Sequence, residues 1–267
     1  GYSSASVVNK VKWLLNAKKA GHIGTLEPDA SGIIAIALGD ATKTIPYVND
    51  DSKTYHFEIH FGSATDTDDV SGSKIKVSNL RPSESQLLSV IELFKGNIKQ
   101  VPPKYSAIKI NGKRAYELSR KGITNFKLKS RTLHIEKLEI IERINENSAK
   151  MKLVCGRGGY VRSIARDIGE KLGCFAHAGQ IRRIVSGPFT LKNSISAEVI
   201  FDENIKDVLG KVLPLNAPLK HIECFTCHLS DANEINDGKK ILVKEKIFET
   251  NSTAFVCFKD KPIAIGQ

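Results

Sequence analysis

The spacing of apolar residues along the chain predicts helices and strands that alternate irregularly. Apolar positions three and four residues apart, as at Val7, Val11 and Leu14, are typical of an amphipathic helix with one buried face. On this basis helices are expected at residues 5–15, 83–96 and 163–172. The second of these begins with Ser83 three residues before Gln86, which is the spacing of a capping box.

Alternating apolar residues indicate the strands. Tyr55, Phe57 and Ile59 are separated by less apolar positions, which predicts a strand over residues 53–62 with one buried face. Further strands are expected at residues 132–141 and 148–155. The sequence contains candidate hairpins, and its strands and helices do not alternate regularly as in βαβ units. This favours a mixed or antiparallel sheet.

Two regions do not continue the long helical or strand patterns described above. Residues 21–31 are expected to form a loop that leads into the apolar run 33–38. Beyond residues 213–218 the pattern changes to short strand-like pieces separated by Gly and Asn turns, which indicates a soft domain boundary. These pieces are expected at residues 240–243, 254–258 and 262–265.

The charge balance favours a polyanionic partner. Lysine and arginine number 40 against 29 aspartate and glutamate, so the formal net charge is +11 and the isoelectric point is about 9.3. A membrane surface is the competing partner, but the sequence has no apolar run of about 18 residues and no basic amphipathic stretch long enough to act as an anchor. A soluble protein that binds nucleic acid is therefore expected.

The first residues and the cysteines bear on the compartment. Residues 1–8 lack the charged and apolar regions of a signal peptide. The five cysteines, an odd number scattered along the chain, do not resemble a disulfide framework. We expect a cytoplasmic protein with reduced thiols.

One motif suggests a metal or haem protein. Cys224, Cys227 and His228 spell C-x-x-C-H, which in an exported protein can anchor a haem. A tetrahedral zinc site needs a fourth ligand, and the sequence has no second C-x-x-C or H-x-x-x-H pair. Ordinary buried cysteines and no metal site are expected, and a metal or haem protein is kept as a rival hypothesis.

Other common sources of chemistry are missing from the sequence. It has no phosphate-loop, dinucleotide-binding or nucleophile-elbow motif. Asp66, Asp68 and Asp69 form an acidic cluster, but its spacing is not that of a calcium-binding EF-hand. A solvated hairpin turn is the expectation there.

Five ordered blocks of polar residues have no obvious role in a core and carry a family resemblance. They read GHIGTLEPDASG at 21–32, GDATK at 39–43, KTY at 53–55, VPPKYSAIK at 101–109 and GYVRS at 159–163. Over roughly residues 3–190 the chain thereby resembles the TruB family of bacterial tRNA pseudouridine synthases, which act on uridine 55 of the T-loop.

The resemblance implies a fold and a division into domains. The fold would be α+β, with a mixed, mostly antiparallel sheet of the pseudouridine-synthase type, flanking helices and a small C-terminal β-rich domain similar to PUA domains. Residues 1–217 would form the catalytic domain, in which the basic segment 101–129 would clamp RNA. Residues 218–267 would form the small RNA-binding domain.

The resemblance also implies catalytic residues, with one departure. Glu27 occupies the position of the family's catalytic aspartate, so the carboxylate is kept on a stem one methylene longer. Either Glu27 acts, as nucleophile or as base, or Asp29 substitutes for it. Arg162 would pair with this carboxylate through its fork of donors. Tyr55 would stack on a flipped uracil and take part in proton transfer at C5.

The remaining site residues are expected to bind RNA. They are His22, Lys43, Tyr105, Lys109 and Arg114. The implied partner is the T-arm of tRNA, bound by a monomer without a protein partner, a membrane or a cofactor. A second rival hypothesis is a non-catalytic tRNA-binding or folding protein, in which Glu27 impairs the site.

Overall fold

The computed structural model describes residues 2–27, 29–49, 51–241, 253–259 and 261–266. The chain divides into two compact units between which it passes repeatedly. The first, here the sheet unit, comprises residues 1–8, 22–36 and 50–194. The second unit comprises residues 9–21, 37–49 and 195–267.

All three predicted helices are present, with shifted ends. The helices are α1 (Ser4–Leu14), α2 (Glu84–Glu92), α3 (Ala115–Arg120), α4 (Val161–Lys171), α5 (Ala197–Phe201), α6 (Ile205–Leu209) and α7 (Leu229–Asn236). The capping box of α2 is formed, since the Gln86 N–H donates to the Ser83 hydroxyl and the Ser83 N–H donates to the Gln86 carboxamide. This helix ends at Glu92 instead of Gly96, because Gly96 adopts a φ of +79° and begins a strand.

The strands fall where alternation predicts them, with short additions. They are β1 (Ala20–Ile23), β2 (Ala30–Gly32), β3 (Ala35–Leu38), β4 (Lys53–Phe61), β5 (Ser63–Thr65), β6 (Lys74–Val77), β7 (Gly96–Gln100), β8 (Lys109–Ile110), β9 (Lys113–Arg114), β10 (Arg131–Asn145), β11 (Ser148–Cys155), β12 (Ala176–Ser186), β13 (Phe189–Thr190), β14 (Glu223–Thr226), β15 (Ala254–Phe258) and β16 (Lys261–Gly266). Strands β1 and β2 take up the two ends of residues 21–31, which were expected to form a loop, so only the middle of this segment is irregular.

The sheet unit is organised around one large sheet. Its strands follow the order β13-β12-β4-β11-β10-β7, with β2 added beside β12. All of these neighbours are antiparallel except β2 and β12, which run parallel. The expected mixed, mostly antiparallel sheet is confirmed.

One face of this sheet carries the core. In β4, Tyr55, Phe57 and Ile59 point to the same face and are buried, as the alternation requires. Ile164 and Ile168 of α4 belong to the same hydrophobic cluster, so this helix covers the sheet. Removing this apolar surface from water stabilises the platform on which α4 and the central strands hold their polar side chains.

The second unit contains the small C-terminal sheet. Strand β14 pairs in parallel with β15, which pairs antiparallel with β16. Phe255 and Leu219 are buried in this unit. The expected β-rich C-terminal piece is present. Of the strand expected at 240–243, residues 240 and 241 are not in a strand, and residues 242 and 243 lie outside the described residues. Within the described chain no helix is long and apolar enough to cross a membrane.

Candidate active site

A carboxylate and a guanidinium from distant parts of the sequence meet in the sheet unit. The Nη2 of Arg162 lies 2.5 Å from Oε1 of Glu27, although 135 residues separate them. Arg162 stands in the first turn of α4, and only 7% of its side chain is exposed, against 36% for Glu27. The pair is therefore buried on the arginine side and open on the carboxylate side.

The guanidinium of Arg162 is held by three further acceptors. Its Nη1 donates to the carbonyl of Thr67 at 2.9 Å and lies 3.3 Å from a carboxylate oxygen of Asp69. Its Nη2 also donates to the carbonyl of Tyr105 at 2.9 Å. A planar fork satisfied from several directions has little rotational freedom, so Arg162 presents a fixed direction to Glu27.

The acidic segment between β5 and β6 is a hairpin turn, as expected, but its Asp68 and Asp69 side chains are not solvated, and that part of the expectation is wrong. Asp68 is buried, and its Oδ2 lies 2.7 Å from Nη1 of Arg166, one helical turn after Arg162. Burial raises the pKa of the Asp68 carboxyl to about 6, while Arg166 opposes the shift. The turn thus supplies Asp68 and Asp69 as partners for two neighbouring arginines of α4.

The backbone around Glu27 is held by hydrogen bonds at Leu26, the preceding residue, and at Glu27 itself. The hydroxyl of the buried Ser4 donates to the carbonyl of Leu26 at 2.8 Å and accepts from its N–H at 3.0 Å. The N–H of Ala30 donates to the carbonyl of Glu27, which closes a turn. Asp29, the alternative carboxylate, is exposed in this turn. The geometry favours Glu27 over Asp29 as the partner of Arg162.

Tyr55 lies in the central strand β4 of the same unit. It is buried in the core cluster, where Leu153 of β11 and Arg183 of β12 are its cross-strand neighbours. Arg183 in turn binds the loop that carries Glu27. The Tyr55 strand and the Glu27 loop are thus joined through one residue.

Tyr160 is a neighbour of the Glu27–Arg162 pair that the sequence analysis does not single out. The side chain of Gln100, which is buried, donates to the Tyr160 carbonyl at 3.1 Å and accepts from its N–H at 2.9 Å. Burial raises the pKa of the Tyr160 phenol, and the nearby charges of Arg131, Glu27 and Arg162 modify the shift. The phenol therefore lies near the Glu27–Arg162 pair.

His22 lies at the entrance to the Glu27 loop, in β1. Burial lowers the pKa of its imidazole, and the positive charge of Arg183 lowers it further. The ring is therefore neutral near pH 7. Its Nδ1 is buried without a hydrogen-bond partner among the residues that the structure describes.

The basic segment, residues 101–129, is anchored at its start and exposed beyond. The carbonyl of Val101 accepts from Ser163 and Arg166 of α4, and the carbonyl of Tyr105 accepts from Arg162. Past this root the chain forms the β8–β9 hairpin and α3. The cationic side chains of the segment are exposed; they are Lys104, Lys109, Lys113, Arg114, Arg120, Lys121, Lys127 and Lys129.

Lys43 is placed differently from the other expected RNA-binding residues. It belongs to the second unit, in a 3-10 helix at Gly39–Tyr47. Its ammonium lies 2.9 Å from a carboxylate oxygen of Asp40, and about three quarters of its side chain, 74%, is exposed. It is thus accessible, and it is not part of the group formed around Arg162.

The cysteines give the metal hypothesis no support. Among the described residues no group of three or more His, Cys, Asp or Glu side chains is arranged to hold a metal ion. Cys224 is exposed, contrary to the expectation of a buried thiol, and its sulfur lies 3.2 Å from the sulfur of the buried Cys257. All five cysteines are free thiols.

Known structures share the fold. The chain superposes on a chain of an H/ACA RNP bound to a substrate RNA containing 2'-deoxyuridine with a TM-score of 0.73 and 22% identity, covering 100% of this chain and 74% of that one. A Cbf5-Nop10-Gar1 complex gives a TM-score of 0.72 and 24% identity, with coverage of 100% and 75%. At this identity the likeness concerns the fold alone.

Known sequences are more closely similar. Residues 12–161 match the N-terminal domain described as TruB family pseudouridylate synthase, and residues 162–220 match the tRNA pseudouridylate synthase B C-terminal domain. The tRNA pseudouridine synthase B of Roseobacter denitrificans is 44% identical over 268 residues, covering 100% of this chain and 88% of that protein. The protein of the same name from Paracoccus denitrificans is 48% identical over 219 residues, covering 82% and 73%. These matches and the shared fold show that the chain belongs to the TruB family of pseudouridylate synthases.

Proposed function

We propose that this protein isomerises uridine 55 in the T-loop of tRNA to pseudouridine, by base flipping and carboxylate catalysis. The observation that carries the proposal is the 2.5 Å contact between Glu27 and Arg162 in a chain of the pseudouridylate synthase family. A partly exposed carboxylate fixed by a buried guanidinium suits attack on, or proton removal from, a nucleotide that enters from solvent.

The reaction gains and loses no group. The bond from C1′ to N1 of the uracil breaks, the base rotates, and a bond from C1′ to C5 forms. The proton on C5 leaves, and N1 ends protonated. Because these atoms are inaccessible in a folded T-loop, the nucleotide must first flip out, at a cost of a few kcal/mol.

Glu27 is the carboxylate that we assign to this chemistry. It acts either as nucleophile on the ring or sugar, or as base at C2′. Arg162 keeps it ionised and aimed through charge-assisted hydrogen bonds. Asp69 and the carbonyls on Arg162 fix the guanidinium from its other side, so its geometry does not depend on the substrate.

Tyr55 and the RNA-binding residues complete the proposed site. Tyr55 stacks on the flipped uracil and takes part in proton transfer at C5. His22 enters the gap that the flipped base leaves in the loop, where its neutral ring avoids a desolvated charge. Contacts to the T-arm come from Lys43, Tyr105, Lys109 and Arg114, with the basic segment as a clamp.

The proposed organisation follows the same scheme. Residues 1–217 form the catalytic domain and residues 218–267 a small RNA-binding domain. The protein acts on tRNA as a monomer, without a protein partner, metal or cofactor, in the cytoplasm where tRNA is modified. The relatives named above are synthases by name, and nothing in them supports the non-catalytic alternative.

Conversion of unmodified tRNA tests the proposal. The protein is incubated with transcribed tRNA and, in parallel, with the same tRNA carrying cytidine at position 55, and pseudouridine is mapped by position. We expect pseudouridine at position 55 of the first RNA and none in the second. Tight binding without any product in the first RNA would favour the non-catalytic alternative. Metal analysis and a visible spectrum of the same sample test the metal or haem hypothesis.

A further inference from the structure

Arg183 is a fully buried arginine, with 1% of its surface exposed. Within the described ranges no carboxylate lies at ion-pair distance from it. Burying a guanidinium is costly unless its donors are satisfied. The acceptors of its hydrogen bonds should therefore indicate the role of Arg183.

The donors of Arg183 all reach one loop. Its Nε donates to the carbonyl of Ile33 at 2.8 Å, its Nη1 to Thr25 at 3.2 Å and its Nη2 to Gly24 at 3.1 Å. These three carbonyls stand on either side of Glu27 in the chain. One planar side chain thus ties together both ends of residues 24–33, the Glu27 loop.

The backbone of Arg183 holds the same loop. Its carbonyl accepts from the N–H of Ile33 at 2.9 Å, and β2 runs beside it with Gly32 as its register partner. A Cβ at residue 32 would lie 2.1 Å from this carbonyl oxygen, and Gly32 has a φ of +102°. Only glycine allows the loop to close this tightly on residue 183.

Arg183 also stands opposite Tyr55. The two are register partners in the antiparallel pair of β12 and β4. A single residue therefore connects the strand that carries the proposed stacking phenol with the loop that carries the proposed catalytic carboxylate. Ser4 restrains the same loop from another side, through both backbone groups of Leu26.

We propose that Arg183 is a positioning residue for catalysis, which fixes the Glu27 loop so that the carboxylate meets Arg162 and the flipped uridine. The inference rests on the proposed function. Arg183 does not itself reach the substrate, because its donors are used by the loop. A loop displaced by about 1 Å costs on the order of 100-fold in rate.

The test compares Arg183→Lys with Arg182→Lys. Arg182 is the adjacent, exposed residue of β12 and pairs with His56, on the opposite face of the sheet. Lysine keeps the charge but loses the fork, so we expect the single-turnover rate at saturating T-arm RNA to fall about 100-fold for Arg183→Lys and to stay unchanged for Arg182→Lys. RNA affinity should stay within about twofold for both variants.

Hydrogen exchange distinguishes positioning from general stability. We expect faster exchange at residues 24–33 of Arg183→Lys, with unchanged protection in β4 and β11. If Arg183→Lys does not fold, Ser4→Ala serves as a second variant, because it loosens the same loop without altering a residue of the large sheet. It should also show a lower single-turnover rate and faster exchange at residues 24–33. A wild-type rate in the folded variant, or rate loss that accompanies equal loss of RNA binding and core protection, would overturn the inference. Absence of turnover in the unmutated protein would instead count against the proposed function.

Discussion

The Glu27 loop and the basic segment are both irregular and polar, yet they are held in opposite ways. The Glu27 loop is fixed by Arg183 at three carbonyls and by Ser4 at Leu26. Among the described residues, the basic segment is hydrogen-bonded to α4 through its root, residues 101–105, whereas Lys104 and Arg114 donate to carbonyls of the segment itself. The first arrangement suits a group that must meet one atom, and the second suits cations that must meet a phosphate backbone.

If the fixed side of the site controls the reaction rate, the largest effect should come from Arg162→Lys. Lysine keeps the charge but replaces a fork that contacts Glu27, Asp69 and two carbonyls by one ammonium. We expect the rate at saturating RNA to fall by about 100-fold or more, with little change in RNA affinity. Arg157→Lys, at an exposed ion pair with Asp51, is the matched control. An unchanged rate would remove Arg162 from the site.

Substitutions in the basic segment should give the converse result. We expect the triple variant Lys109→Ala, Lys113→Ala, Arg114→Ala to bind tRNA more weakly, with the slope of log K against log salt reduced by about 2–3. The rate at saturation should persist. Salt titrations of binding measure the slope. A control that removes the same net charge elsewhere replaces Lys95, Lys137 and Lys150, which are paired with carboxylates. An unaltered slope in the first variant would contradict the clamp.

The variant Glu27→Asp tests whether the fixed loop tolerates a carboxylate side chain that is one methylene group shorter. The aspartate restores the family's residue, so we expect a rate equal to the wild-type rate or higher by a few-fold, on the scale of small positional changes. Single-turnover kinetics with T-arm RNA measure it. A rate far below that of the wild type would mean that this loop is set for the longer side chain.

The smallest effect concerns Asp68, which supports the arginines of α4. Its pKa is raised from 3.8 to about 6, first by burial, with Arg166 opposing. Between about pH 4 and 6 the folded state therefore binds a proton that the unfolded state has released, so its contribution to stability is present at low pH and is lost as pH rises. We expect the unfolding free energy of wild type, relative to Asp68→Asn, to decline over this range and to level off above it.

Urea unfolding at several pH values measures this difference. Asp66→Asn, in the same turn, is the matched control. A difference between wild type and Asp68→Asn that stays constant from pH 4 to 6 would show that the carboxyl is not buried as described.

Local patterns were sufficient to predict the strands and helices but not their arrangement. The alternation in β4 and the capping box of α2 are local, so the sequence predicts both. The order of the sheet, and the parallel placement of β2 beside β12, depend on contacts between distant segments. No local period encodes them.

The site divides along the same line. The motifs predict Glu27, Tyr55 and Arg162 as site residues, whereas the sequence around Asp69 predicts only a solvated turn, because its partner lies 93 residues away on α4. Arg183 gave no signal, since its burial depends on a loop some 150 residues earlier. Two arginines one turn apart on α4 were the available hint that buried carboxylates must exist elsewhere.

The central claim is that Glu27, and not the exposed Asp29 two residues later, is the catalytic carboxylate. Single-turnover conversion of T-arm RNA by Glu27→Ala and Asp29→Ala tests it directly, with RNA binding measured in parallel. We expect no pseudouridine from Glu27→Ala despite intact binding, and a rate close to that of the wild type from Asp29→Ala. Product formation by Glu27→Ala, or its loss in Asp29→Ala alone, would contradict the assignment.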